Sequence, residues 1–215
     1  MVYSTQNITA IILAGGQGKR LNHQNKGLLG LNSHLTPNRE VSGETFISHL
    51  LKKLSVQSQK QIISANNDIE AYETYNKTVV HDQTNSYEGP LAGILSCKAH
   101  VDTSLILTTP CDSPMIPDDL SQRLLDTYNQ YPSAKICVAH DGERQQNLFM
   151  LFDAALLDDM TVYFDDNQRK VYGWINRHEH KRVDFSDSAS NFLNVNDENQ
   201  LKMLRLMIKK KQVKL

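Results

Sequence analysis

Apolar residues follow two rhythms along this chain. "ITAIILA" (8–14) is short, unbroken and rich in Ile, and reads as a fully buried strand. "KQIISAN" (60–66) and "KTVVHD" (77–82) predict a second and a third strand, and "SLILTTPCDSP" (104–114) starts as another before two prolines stop it. Between these runs the spacing becomes helical. "FISHLLKKLSVQ" (46–57) sets Phe46, Leu50, Leu51 and Leu54 on one side. "GPLAGILSCKAHV" (89–101) opens with Gly-Pro and continues as a helix. "PDDLSQRLLDTY" (117–128) has Pro at its start, acids in its first turn, and Leu120 and Leu124 on one face.

Strand, helix, strand, helix implies parallel pairing through crossovers, hence an α/β sandwich with helices on both faces of a mostly parallel central sheet. Beyond "AKICVAHDGE", the run "LFMLFD" (148–153) predicts a further strand. "DMTVYFDDNQRKVYGWINRH" reads as helix or loop, and "KRVDFSD" as a possible strand. "ENQLKMLRLMIKKKQVKL" closes the chain as an amphipathic helix with Leu201, Leu204 and Ile208 inward and a solvated lysine run suited to the helix dipole. No internal repeat, low-complexity stretch or linker interrupts this order, so residues 1–215 read as one domain.

Composition narrows the picture without redirecting it. With 215 residues, 40% hydrophobic and 22% charged, the chain is globular and large enough for a substantial core. A net charge of -1 argues against nucleic-acid binding through a broad basic face, but permits a local phosphate pocket. Cys97, Cys111 and Cys137 are widely spaced and odd in number, which makes a reducing cytoplasm the simplest home. The N-terminus lacks basic residues before its apolar run, so it reads as a strand rather than a signal peptide, and nothing approaches membrane-spanning length.

The candidate chemistry lies where the first strand ends. "AGGQG" places glycines at 15, 16 and 18, and glycine lets backbone N–H groups converge on an anion without a Cβ in the way. Lys19, Arg20 and Lys26 then supply charge for several phosphate oxygens. The P-loop pattern fails, with Leu13 where its first Gly belongs and Arg20 where its hydroxyl belongs. The dinucleotide pattern started at Gly16 meets Leu21 instead of its third glycine. A tight turn with solvated basic residues stays open as the plain alternative. Asp112 follows the "SLILTTP" strand between Pro110 and Pro114, at the same rim of the sheet. An acid there can hold Mg²⁺, which binds protein through one or two carboxylates plus substrate phosphates. As a cap for the following helix Asp112 comes too early, and Ser113 or Asp118 suits that role better. Glycine turn, lysine and metal-binding acid together describe nucleotidyl transfer.

"LAGGQGKRLNHQNKG", "YEGPLAGILS", "TTPCDSPMIPDDL", "VAHDGERQQ", "VDFSD" and "FLNVNDENQL" together resemble the molybdenum cofactor guanylyltransferase family, in order from residue 8 to about residue 201. The resemblance implies a three-layer, Rossmann-like nucleotidyltransferase sandwich. It implies that the terminal phosphate of molybdopterin attacks the α-phosphate of GTP, releasing pyrophosphate and forming the guanine dinucleotide cofactor. By match of motif, Leu13, Ala14 and Gly15 contact the nucleotide and Gly16 continues the turn. Lys26 binds phosphate, Asp82 contacts the nucleoside, Asp112 holds Mg²⁺, and Arg20 steadies the leaving pyrophosphate. Partners implied are GTP, molybdopterin, a cofactor insertion protein, and molybdoenzymes or their chaperones. A phosphate nucleophile is already anionic, so no catalytic histidine is assigned, and His178 and His180 are not read as a metal site.

The chain departs from the family pattern at several places. Asn25 stands where the family usually has Asp before the lysine, and Asn22-His23 replaces a glycine pair. Ser64 occupies the place of an asparagine that contacts the nucleotide, with Asn66 nearby, and residues 32–45 lengthen a short connection into a surface loop. After Arg144 come Gln146-Asn147 in place of His-Pro, and Arg144, Asn194 and Asn196 are weaker candidates for the molybdopterin side. Rival readings are a cytidylyltransferase for the same cofactor, a sugar-nucleotide synthesising enzyme, and a nucleotide-binding adaptor without catalysis.

Overall fold

The computed structural model describes residues 2–16, 25–31, 43–81 and 88–212. Lys19, Arg20, Asn22, His23, Asp82 and most of the 32–45 connection lie outside the described residues. Seven strands form one sheet: β1 (Ile8–Leu13), β2 (Lys60–Ser64), β3 (Thr78–Val80), β4 (Leu105–Pro110), β5 (Ile136–His140), β6 (Gln145–Asp153) and β7 (His180–Asp184). Their spatial order is β3-β2-β1-β4-β6-β5-β7. β1 pairs in parallel with both β2 and β4, β2 with β3, and β5 with β7; β6 runs antiparallel to its two neighbours.

Among the described residues the α-helices are α1 (Phe46–Leu54), α2 (Ile69–Glu73), α3 (Pro90–Ser96), α4 (Leu120–Gln130), α5 (Leu156–Asp165), α6 (Val171–Ile175) and α7 (Glu198–Gln212). β1 shows why three layers result. Its side chains alternate, so Ile8, Ala10 and Ile12 enter a core shared with Ile47, Leu50 and Leu54 of α1 and Leu120, Leu124 and Tyr128 of α4. Ile11 enters the opposite core, with Leu91 and Ile94 of α3, Met160 of α5 and Trp174 of α6. A strand covered on both faces must be apolar throughout, which accounts for the unbroken run in the sequence.

α1 starts at a capping box, in which the Thr45 hydroxyl accepts from the Ser48 N–H and the Ser48 hydroxyl meets the Thr45 N–H. α4 begins at Leu120, three residues later than the proline suggested, so Asp118 and Asp119 precede the helix and Asp118 pairs with Lys53 at 2.6 Å. The reversed β6 follows from the turn before it. Asp141 Oδ1 accepts from the N–H groups of Glu143 and Arg144 at 2.9 and 2.8 Å, and Gly142 takes φ +96°. That tight Asp-Gly turn returns the chain as a hairpin.

Parallel register aligns the strand ends. Val80 pairs with Ser64, Ser64 with Leu13, and Leu13 with Pro110, so three successive carboxyl termini and that of β3 open on one rim. The chain leaves β1 toward β2 on one side and returns to β4 on the other. That reversal between β1 and β4 is the place where open α/β sheets bind ligands.

Candidate active site

A cleft of about 290 Å³ opens at this rim. Leu13, Ala14, Gly15 and Gly16 line its floor beyond β1, Ser64 and Asn66 come from the end of β2, and Asp112 from the turn after β4. Lys26 and Asn194 complete the lining at the charged end. Asn66 lies close under the glycine turn: a Cβ on Gly15 would stand 3.2 Å from its Nδ2.

The charged end is built from three separate parts of the chain. Lys26 opens a short 3-10 turn (Lys26–Leu28), and its ammonium donates to Asp112 Oδ2 at 3.1 Å and to Asn196 Oδ1. Both members of the ion pair are largely covered, with side chains 17% and 20% exposed. The other carboxylate oxygen, Asp112 Oδ1, is buried and has no hydrogen-bond partner among the described residues. A buried carboxylate oxygen without a donor is costly unless a cation or ligand satisfies it. The neighbouring Cys111 is an unsuitable anion, because burial foremost, then the charge of Asp112, push its thiol up, so it stays neutral.

The segment before α7 braces this end. Val195 N–H donates to the Asp112 carbonyl at 2.8 Å, Ser113 Oγ donates to Asn194 Oδ1, and Asn196 N–H donates to Gln200 Oε1 at 2.7 Å. The Lys26 turn is held from below by Tyr72 of α2. Its hydroxyl donates to Asn25 Oδ1 at 2.6 Å, and burial is the main cause holding the phenol far above its usual range, so the proton remains available to donate.

Residues 10–183 match the family of the MobA-like NTP transferase domain. The molybdenum cofactor guanylyltransferase of Shewanella frigidimarina is 36% identical, over 94% of this chain and 98% of its own length. That of Shewanella piezotolerans is 32% identical over 93% of each. The chain belongs to the molybdenum cofactor guanylyltransferase family. It is a nucleotidyltransferase by that membership. The crystal structure of molybdopterin-guanine dinucleotide biosynthesis protein A from Archaeoglobus fulgidus shares the fold, with a TM-score of 0.73 at 16% identity over 94% of this chain and 99% of that one.

Against the guanylyltransferase pattern, the fold gathers Leu13, Ala14, Gly15, Gly16, Lys26, Ser64 and Asp112 into one cleft. Ser64 is buried, and its hydroxyl faces α3: a Cβ on Gly93 would meet it at 2.8 Å. On the same helix the Cys97 thiol donates to the Gly93 carbonyl at 3.3 Å, and burial pushes it up to about 12. Arg144 is not brought to the cleft; its side chain is 70% exposed beside Asp141 at 3.7 Å. His178 bonds Asp159 at 2.8 Å, and the same carboxylate takes the Trp174 indole N–H at 3.0 Å, a structural tie between α5 and α6. Among the described residues no group of three or more His, Cys, Asp or Glu could hold a metal, and no helix is long and apolar enough to cross a membrane.

Sequence reasoning missed the Tyr72–Asn25 contact entirely. The five residues of α2, in the polar stretch "NDIEAYETYN", carry too little periodicity to predict a helix. The aromatic Tyr72 within that stretch was the available signal.

Proposed function

We propose that this protein transfers GMP from GTP to molybdopterin, releasing pyrophosphate and forming the guanine dinucleotide cofactor. The observation that carries the reading is the joint of Lys26 and Asp112 at the switch point, 3.1 Å apart, with Asp112 Oδ1 buried and unsatisfied. A single carboxylate with one free oxygen fits Mg²⁺, whose remaining ligands are phosphate oxygens and water. When bound, the metal supplies positive charge against the triphosphate.

In the reaction, an oxygen of the molybdopterin phosphate forms a bond to the α-phosphorus of GTP as the bond from that phosphorus to the bridging β-phosphate oxygen breaks. The nucleophile is already ionised, so the barrier is repulsion between anions and their alignment. Lys26 offsets that repulsion from one lip of the cleft, and Arg20, six residues earlier in the sequence, is assigned to the leaving pyrophosphate. The backbone of Gly15 and Gly16, which lines the cleft, is assigned to the phosphates, where the lack of a Cβ permits close approach. Asp82, following β3, contacts the nucleoside. The cofactor then passes to an insertion protein and to molybdoenzymes or their chaperones, and the cysteine usage suits a reducing cytoplasm.

The test is release of pyrophosphate by the purified protein given molybdopterin and Mg²⁺ with each nucleoside triphosphate in turn. GTP should be used well above CTP. Equal or better use of CTP would overturn the base assignment, and binding of GTP without turnover would favour an adaptor.

A further inference from the structure

The residue before Lys26 sits in a clamp built from α2 and the turn leading into it. Asn25 Oδ1 accepts from the Tyr72 hydroxyl at 2.6 Å and from Gly27 N–H at 3.2 Å, while its Nδ2 donates to Asp68 Oδ2 at 3.0 Å. A neutral amide accepts at one end and donates at the other, which is what these three partners require. Gly27 closes the clamp, since a Cβ there would lie 2.3 Å from the Tyr72 oxygen. Lys26 is therefore fixed through both of its neighbours, and its ammonium reaches Asp112 from that fixed base.

We propose that Asn25 is a positioning residue for Lys26, held between Tyr72 and Asp68, and that position 25 in this chain requires a neutral amide because its neighbour is a carboxylate. The proposal rests on the role given to Lys26 above. An aspartate at 25 would still accept from Tyr72 and Gly27. Toward Asp68, however, it would set two anionic oxygens about 3.0 Å apart with no proton between them. The residue usual in the family is thus the wrong residue here. Exchanging the pair restores the bond with its polarity reversed: an asparagine at 68 donates to an aspartate at 25. Position 68 has φ +53°, a conformation that asparagine tolerates well.

The test compares Asn25→Asp, Asp68→Asn and the double variant by calorimetric titration with GTP and by steady-state pyrophosphate release. Asn25→Asp should weaken GTP binding and lower kcat/KM by about fivefold to tenfold, the scale of two like charges a few ångströms apart when water screens them, as at this exposed contact. The double variant should return to within about twofold of the parent. Asn25→Asp performing as well as the parent, or a double variant no better than Asn25→Asp, overturns the proposal. Repeating Asn25→Asp in a Lys26→Met background separates positioning from simple stability. If Asn25 acts through Lys26, the second substitution costs almost nothing more; an unchanged cost in that background overturns the proposal. Should Asn25→Asp fold poorly, Tyr72→Phe removes only the hydroxyl and should lower kcat/KM by about threefold, the scale of one hydrogen bond; no loss would overturn the clamp. Lys26→Met with undiminished GTP binding and turnover would instead sink the reading of Lys26 itself, an outcome distinct from failure at Asn25.

Discussion

The two lips of the cleft are made by different means. Asp112 is held by main chain: Cys111 N–H donates to the Leu13 carbonyl at 3.0 Å, Val195 N–H donates to the Asp112 carbonyl, and Pro110 ends a fully buried strand. Lys26 has no strand beneath it. Its turn is held by the Asn25 side chain. Main-chain bonds to other segments come farther along, where Leu31 N–H donates to the Glu44 carbonyl at 2.8 Å, Arg205 donates to the Gly30 carbonyl at 3.1 Å, and Leu31 packs among Phe46, Met115, Val195 and Leu204. A carboxylate that anchors a metal gains from a rigid seat, whereas a lysine that follows phosphates through a reaction can ride on a strapped loop. The lesson is that distant substitutions should reach the chemistry through Lys26 more readily than through Asp112.

The largest effect should come from the rigid lip. Asp112→Ala should lower turnover by about a thousandfold, at the upper end for loss of one electrostatic group, while GTP affinity by calorimetry falls much less. Comparable loss of both would mean that Asp112 holds the nucleotide rather than the reacting phosphate. Next, Lys26→Met should lower kcat/KM by about a hundredfold, since charge on the phosphates is lost but the seat of Asp112 survives. A smaller loss at Lys26 than at its support residue Asn25 would invert the comparison.

Gly27→Ala comes third, with about a tenfold fall in kcat/KM, because the new Cβ displaces the Tyr72 hydroxyl from the clamp. Steady-state rates should show the fall softened in a Tyr72→Phe background, where the atom in the way is gone. The smallest catalytic effect belongs to Gly93→Ala, which crowds Ser64 in the wall of the cleft and touches neither lip. Thermal unfolding should show a loss of about 1–3 kcal/mol, relieved by Ser64→Ala, as overpacking predicts.

Much of this was legible in the chain itself. Continuous apolar runs such as "ITAIILA" disclosed strands covered on both faces, and the glycines after that run fall where the strand end opens on the cleft. The motifs also located Asp112, since a strand closed by Pro110 leaves the next acid at the rim. The reversed β6 was signalled by Asp-Gly between two apolar runs, although the runs alone gave only its presence. The clamp on Lys26 was not legible. Asn25 and Asp68 are 43 positions apart, Asn25 and Tyr72 47, and no periodicity links residues that meet only when β1 and β2 pair.

The linear order of residues carries the layered α/β architecture and the identity of the charged groups, because burial and charge are written residue by residue. Packing in three dimensions set which oxygen of Asp112 is committed to Lys26 and which has no hydrogen-bond partner among the described residues. It also decided that Ser64 turns toward α3 and that an amide at 25 faces a carboxylate at 68. Those outcomes depend on directions and distances between remote segments, which packing sets and a linear pattern does not carry.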